Sequence, residues 1–282
     1  MNNSTLNRKE QEMTTNKIID HVTSANEIKA ILEKHIKPTD TCIVHTSLSA
    51  FGYIPGGEYE IVKMLKELVA QGNIVMAAQT NDLSDPSEWG EPPATVAAQK
   101  KIRATIMPFN VEKTPIHMIG RTPEYFRTSG GVKRSNHPLY SMCAWGKDAA
   151  AICNTTGYDM PFGADGPLGK AYDLDAKVVM LGTDYESCTA LHLADSTINR
   201  PLLEEKAPIA DEHGKAKWIS FKNVDELDKY DDFNEFGDYF ESKFASAVHK
   251  VKIYNGYIRV IPMKKLVDAA RAYYLEKDRL NG

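Results

Sequence analysis

The chain has 282 residues, 42% hydrophobic and 26% charged, with a formal net charge of -4. That is the profile of an ordinary globular chain, long enough for one large α/β domain, and the slight acidic excess argues against a nucleic-acid partner, which would call for a basic surplus. No apolar run reaches the roughly eighteen residues of a membrane helix and the polar start is no signal peptide, while the four cysteines, Cys42, Cys143, Cys153 and Cys188, show no Cys-x-x-Cys pair, so a cytoplasmic protein with free thiols and no membrane partner is expected.

Residues 1–16 are polar without periodicity and read as a disordered tail, leaving 17–282 as a single domain. Ser24-Ala25-Asn26-Glu27 is a capping box, and Ile28, Ile31 and Leu32 follow at helical spacing, so a first helix runs to about His35. Thr41 to Leu48 is a strand, leading through Phe51-Gly52 and Pro55-Gly56-Gly57 into a helix carrying Val62, Leu65, Leu68 and Val69. Strand, glycine-bearing loop and helix together offer backbone N–H groups to a phosphate. The loop lacks both the Lys-Ser/Thr of a nucleotide loop and Gly-x-Gly-x-x-Gly, so a phosphate-bearing cofactor held by backbone fits it, as does a plain tight turn.

Asn73 to Gln79 reads as a second buried strand, ending at Thr80-Asn81-Asp82. From there to about Lys113 breakers such as Asp85-Pro86 and Pro92-Pro93 predict an irregular functional loop or lid, made acidic by Asp82, Asp85, Glu88 and Glu91. A short helix over Arg121 to Arg127 follows. Arg134, Ser135 and His137 then form a polar group, suited either to a phosphate or sugar or to local turn bonds, before a strand at Met142 to Gly146 and an Ala-rich helix from Asp148 to Cys153. Met160-Pro161-Phe162-Gly163 and Gly166-Pro167-Leu168 make a rigid loop that opens the next helix.

Val178 to Leu181 is a strand buried on both faces, ending at Gly182, followed by a turn with Asp184 and Glu186. Helical spacing from about Cys188 puts Thr189, His192, Asp195 and Ser196 on one side. A base, a carboxylate and two hydroxyls thus meet just past a strand end, where open α/β sheets place ligands; a surface His–Asp pair in a first helical turn is the plain alternative. Pro201 and Pro208 break the helix, and a small β excursion to about Phe221 surrounds Trp218, with His213-Gly214 in its turn. Asp225 to Asp232 is an acidic run, a solvated face or an attractor of polyamines. Phe233, Phe236, Tyr239, Phe240 and Phe244 predict an amphipathic helix with core aromatics, Val251 to Val260 a hairpin turning at Asn255-Gly256, and Leu266, Val267, Ala270 and Tyr273 a final helix. Residues from around 205 to 282 thereby form a C-terminal subregion.

Taken in this order, His45-Thr46-Ser47-Leu48 with Gly52 and Gly56-Gly57, the Arg134-Ser135-Asn136-His137-Pro138 group, Pro161-Phe162-Gly163 and Thr189-Ala190-Leu191-His192-Leu193-Ala194-Asp195 resemble the aminoglycoside 3-N-acetyltransferase family. The likeness continues through Phe236-Gly237 and covers nearly everything after residue 20. It implies acetyl-CoA as donor, the 3-amino group of an aminoglycoside antibiotic as acceptor, a role in antibiotic resistance, and an α/β fold, a three-layer α/β/α with a mixed central sheet, unrelated to the common GNAT acetyltransferase fold. Two positions depart from the family: Asp195 stands where Glu is usual, and Gly166 where many members carry Ser.

An ammonium must lose a proton before its nitrogen attacks a thioester, and His192, with an ordinary pKa near ~6.5, is the candidate base. Asp195 would orient the imidazole and Thr189 would bond the thioester oxygen. Cys188, four residues before His192, is a minor candidate nucleophile. The resemblance assigns the CoA contacts to His45, Thr46, Ser47, Leu48, Gly52, Gly56, Gly57, Arg134, Ser135 and His137, while Asp82, Asp184 and Glu186 would attract a cationic small-molecule amine. No metal is expected, and the protein is a monomer or homodimer. Three alternatives stay open: an acetyltransferase for a different amine, a CoA binder without useful catalysis, and a metal-dependent hydrolase using His45, Asp184 and His192.

Overall fold

The computed structural model describes residues 19–225 and 233–281; the tail expected over residues 1–16 and nearly all of the acidic run lie outside them. Its strands, in chain order, are β1 (Thr41–Thr46), β2 (Asn73–Ala77), β3 (Lys133–Arg134), β4 (Met142–Gly146), β5 (Lys177–Leu181), β6 (Leu202–Ala210), β7 (Ala216–Val224), β8 (His249–Ile253) and β9 (Gly256–Pro262). Seven of them form one sheet in the order β3-β4-β2-β1-β5-β9-β8, and β6 and β7 form a separate hairpin. β1 runs parallel to β2 and β5, while β4 and β9 flank these antiparallel, so the sheet is mixed.

The helices are α1 (Ala25–Leu32), α2 (Gly57–Leu68), α3 (Val96–Thr105), α4 (Arg121–Thr128), α5 (Ala149–Cys153), α6 (Pro167–Asp173), α7 (His192–Asp195), α8 (Phe233–Lys243) and α9 (Met263–Asn281). Side chains alternate across a strand, and the core divides accordingly. Ile43, Val75, Val178 and Met180 pack against α6, α8 and α9, while Cys42, Val44, Ile74, Met76, Val179 and Leu181 pack against α1 and α2. Helices cover both faces, which is why the central strands read as unbroken apolar runs, and the three-layer α/β/α expectation holds. The capping box at α1 forms as read: the Glu27 N–H donates to Ser24 Oγ at 3.2 Å and the Ser24 N–H to Glu27 Oε2 at 2.8 Å. Phe236 and Phe240 of α8 are fully buried, as their spacing predicts. Among the described residues no helix is long and apolar enough to cross a membrane.

Two local expectations are corrected, and a third, the β excursion with His213-Gly214 in its turn, is met by a longer hairpin than read. The stretch read as irregular contains α3, which buries no residue and so shows no apolar period, although Thr95 caps it by accepting the Ala98 N–H. The excursion around Trp218 is a hairpin of two nine-residue strands; Pro208 sits inside β6 because a two-stranded sheet is all edge, and its carbonyl accepts the Phe109 N–H at 2.9 Å. In the β8–β9 hairpin Ile253 pairs with Gly256, so the turn is Tyr254-Asn255. Gly256 instead opens β9, where an added Cβ would lie 2.8 Å from Ala50 Cβ.

Candidate active site

β1 and β5 end level with each other, His45 beside Met180 and Thr46 beside Leu181, and the Ser47 N–H extends the ladder to the Leu181 carbonyl at 2.8 Å. From β1 the chain leaves for α2 on one face; from β5 it leaves for α7 on the other. Between two such departures a crevice opens. Its edge needs Gly182, which has φ 77° and lies so close to β1 that a Cβ would sit 2.4 Å from the Ser47 carbonyl oxygen.

A cavity of about 230 Å³ occupies this position, lined by His45 and Thr46 from β1, Gln79 beyond β2, Glu186, Thr189 and His192, with Met118, Ile119 and Pro123 on a further wall. His45 alternates with Val44 and so faces the layer of α7. It is 6% exposed and its Nε2 has no hydrogen-bond partner among the described residues. Burial, with the neighbouring His192 adding to it, pushes its pKa down to about 4, which keeps the ring neutral at physiological pH.

His192 stacks on Phe162 with ring centroids 4.8 Å apart and meets the edge of Phe233 at 5.3 Å. These two rings set its plane. Helical spacing from Cys188 is replaced by two 3₁₀ turns, Tyr185–Ser187 and Thr189–Leu191, before the one α-helical turn of α7. Thr189 is nevertheless buried on the cavity wall. The sequence points Asp195 at His192; the structure gives its Oδ1 to Arg200 Nη1, in an ion pair whose side chains are each 2% exposed. Sequence reasoning misses Arg200, because five residues from Asp195 is no helical spacing.

The other named residues separate. Glu186 is an exposed acid on the cavity wall, whereas Asp184 is exposed at the start of the first 3₁₀ turn and lies outside the lining. Asp82 belongs to a different hollow, beside Phe109 and Gly214. Ser47 and Leu48 continue β1 into a 3₁₀ turn closed by Gly52, and Gly56-Gly57 begin α2. Arg134 is committed to the scaffold: Nε donates to Ser141 Oγ at 2.9 Å, Nη1 to the Thr114 carbonyl and Nη2 to the Ala78 carbonyl. Ser135 Oγ accepts the Met142 N–H. His137 Nδ1 accepts the Leu139 and Tyr140 N–H groups while its Nε2 contacts the Tyr158 carbonyl, and burial pushes its pKa down to about 4. His137 thus makes the local turn bonds that its spacing also allowed, and Ser135 bonds across to β4, whereas Arg134 ties distant backbone segments together, at Thr114 and Ala78.

Cys188 is 1% exposed in the core, and burial pushes its thiol up to about 12, which removes it as a nucleophile. Among the described residues no three His, Cys, Asp or Glu side chains gather as a metal site, so His45, Asp184 and His192 do not form the centre that the hydrolase alternative needs. Gly166 is explained by close approach: a Cβ there would meet the Pro161 carbonyl oxygen at 2.5 Å, in the loop that carries Phe162.

The sequence profile of the family described as aminoglycoside 3-N-acetyltransferase matches residues 43–275, a span that holds every residue of the cavity wall. The chain belongs to this family. Among aminoglycoside 3-N-acetyltransferases and their relatives it is 35% identical over 272 residues to the SPbeta prophage-derived aminoglycoside N(3')-acetyltransferase-like protein YokD of Bacillus subtilis, covering 94% of this chain and 98% of that one. It is 30% identical over 201 residues to aminoglycoside N(3)-acetyltransferase VII of Streptomyces paromomycinus, covering 69% and 68%. The crystal structure of YokD superposes with a TM-score of 0.84, covering 90% of this chain and 94% of that one at 34% identity. As a member of the aminoglycoside 3-N-acetyltransferases the protein is an acyltransferase.

Proposed function

We propose that the protein transfers the acetyl group of acetyl-CoA to an amino group of an aminoglycoside, with His192 as general base. The observation that carries this reading is the placement of His192, held between Phe162 and Phe233 on the wall of a strand-end cavity that it shares with His45, Thr189 and Glu186. The residues fit the donor: the buried Nε2 of His45 has no hydrogen-bond partner among the described residues and sits at the cavity where one is wanted. His45 and Thr46 would hold the acyl end, and Ser47, Leu48, Gly52, Gly56 and Gly57 the phosphate-bearing part. Bound there, acetyl-CoA supplies an acetyl group already activated as a thioester.

The work of the chain is then proton transfer and charge placement. His192 takes the proton that the attacking nitrogen must lose. His45 stays neutral beside it, so the two imidazoles do not compete for the same proton. Thr189, on the cavity wall, would donate its hydroxyl to the thioester oxygen as charge grows there, and Glu186 gives the cavity wall an acid suited to the other ammonium groups of an aminoglycoside. Thermal scans with saturating CoA test the donor half, since a ligand that prefers the native state must stabilise it. A shift in wild type that persists in His192→Ala supports the reading, and no shift in either protein removes it.

A further inference from the structure

We propose that Arg200 is a positioning residue for His192, the centre of a polar latch by which α9 fixes the single turn that carries the base. α7 is four residues long, and an isolated turn is unstable because nucleation fixes several residues for one hydrogen bond. Its position must come from outside. Arg200 Nη1 binds Asp195 Oδ1 within α7, its Nε lies 3.5 Å from Asp278 Oδ2 of α9, and its guanidinium lies over the Tyr274 ring of α9 at 5.4 Å. Arg271 of α9 donates from Nε to Thr197 Oγ1 at 2.8 Å, and Thr197 in turn donates to the Leu193 carbonyl. Contacts from one helix therefore converge on the turn at both its helical and its trailing residues.

An apolar pair can hold a buried turn as stably as an ion pair does. What the ion pair adds is direction, through the planar guanidinium fork, and a balanced charge beside the base, since residues three apart on a helix are neighbours. Titratable groups near His192 include His45 from β1 and Glu186 from the turn after β5, which share its cavity wall, and Asp195 three residues on along its own turn; Asp278 of α9 pairs with Arg200, and Arg271 of α9 holds Thr197. Removing Arg200 takes away a positive charge paired with Asp195, so the carboxylate acts more strongly on the ring and favours the protonated imidazole. Removing the Asp195 charge takes away a negative charge one helical turn from the ring and favours the neutral one.

The inference rests on His192 being the base, and the experiment separates the two. The kcat pH profile is measured with saturating acetyl-CoA and an accepted aminoglycoside for wild type, His192→Ala, Arg200→Met, Asp195→Asn and the double variant. Arg200→Met is expected to lower kcat on the order of 10²-fold, to leave the KM for acetyl-CoA unchanged, and to move the rising limb to higher pH. Asp195→Asn moves the limb to lower pH, and the double variant brings it back while kcat stays low. Arg200→Lys keeps the charge but not the fork, so its limb stays in place with kcat reduced. A limb fixed across all variants, or wild-type kcat in Arg200→Met, overturns the latch while leaving the base intact if His192→Ala is inactive; an active His192→Ala overturns both. Should Arg200→Met fail to fold, Asp278→Asn, whose carboxylate is 25% exposed, and Arg200→Lys carry the test, and unchanged kcat in both overturns the latch.

Discussion

In the proposed reaction His192 is the residue on which the chemistry turns, and its surroundings explain why the sequence shows it readily. A histidine three residues from both a hydroxyl and a carboxylate, just after a buried strand, is visible as a pattern; the two rings that fix its plane, Phe162 and Phe233, come from distant segments and are not. Replacing His192 by Ala is expected to lower turnover by about 10²–10⁴-fold with little change in CoA affinity, the span of a lost general base. Steady-state kinetics paired with CoA titration checks both halves. Cys188→Ala makes the opposite case. Its thiol is buried and held protonated, so turnover should stay within about two-fold of wild type, and mass spectrometry during turnover should show no acylated protein, because direct attack by the amine needs no covalent intermediate. Arg134 and His137 show where residue types mislead: a cation and a histidine suited to a phosphate are spent instead on backbone groups, and nothing in a linear sequence says where a donor is already used.

The elements that place the site are β1, β5 and the turns leaving them. Both strands are legible because burial on two faces demands unbroken apolar runs, and the crevice between them follows from their opposite exits. The turns are less so. Two 3₁₀ turns and one α turn follow β5 where the spacing suggests continuous helix, because i,i+3 spacing does not separate a 3₁₀ turn from an α turn over so few residues. α3 escapes notice for a different reason: it packs no side chain into the core, so its pattern carries no apolar face. Gly182 is the joint between β5 and the turns that carry Thr189 and His192, with positive φ and a neighbour that a methyl would strike. Gly182→Ala is expected to destabilise the fold by roughly 1–3 kcal/mol and to reduce turnover more than that loss explains, since the shift is delivered to the turn bearing Thr189. Chemical denaturation and kinetics on the same preparation separate the two effects.

At the scale of the whole molecule the layered fold was the most legible feature, since fold class depends on the order of apolar runs and not on any one contact. The β6–β7 hairpin, closed by a local turn that holds His213-Gly214, is legible in outline; the latch on Arg200 depends on partners in α9, 78 residues away at Asp278, and is not. Burial has a further consequence for stability. His45 and His137 each have a folded pKa pushed down to about 4, against an ordinary value of 6.5, so the unfolded chain binds more protons between those values. Stability from these two groups is fully present above about pH 6.5 and is lost as pH falls toward 4; a further loss comes below the ordinary aspartate range as Asp85, whose carboxyl Arg103 holds well below its usual value, is protonated. Denaturant midpoints measured from pH 7 to pH 4 should fall steadily, and His137→Asn should lower the number of protons linked to unfolding by about one in that window; a midpoint flat over the window in wild type contradicts the buried neutral histidines.

The most direct measurement follows free thiol released from acetyl-CoA by purified wild type and His192→Ala, across a panel of aminoglycosides and simpler amines, with the products weighed by mass spectrometry. The expected result is aminoglycoside-dependent thiol release by wild type, a product carrying one added acetyl group, and loss of both in His192→Ala. Release that ignores every aminoglycoside, or that persists undiminished without His192, would contradict acetyl transfer with His192 as its base.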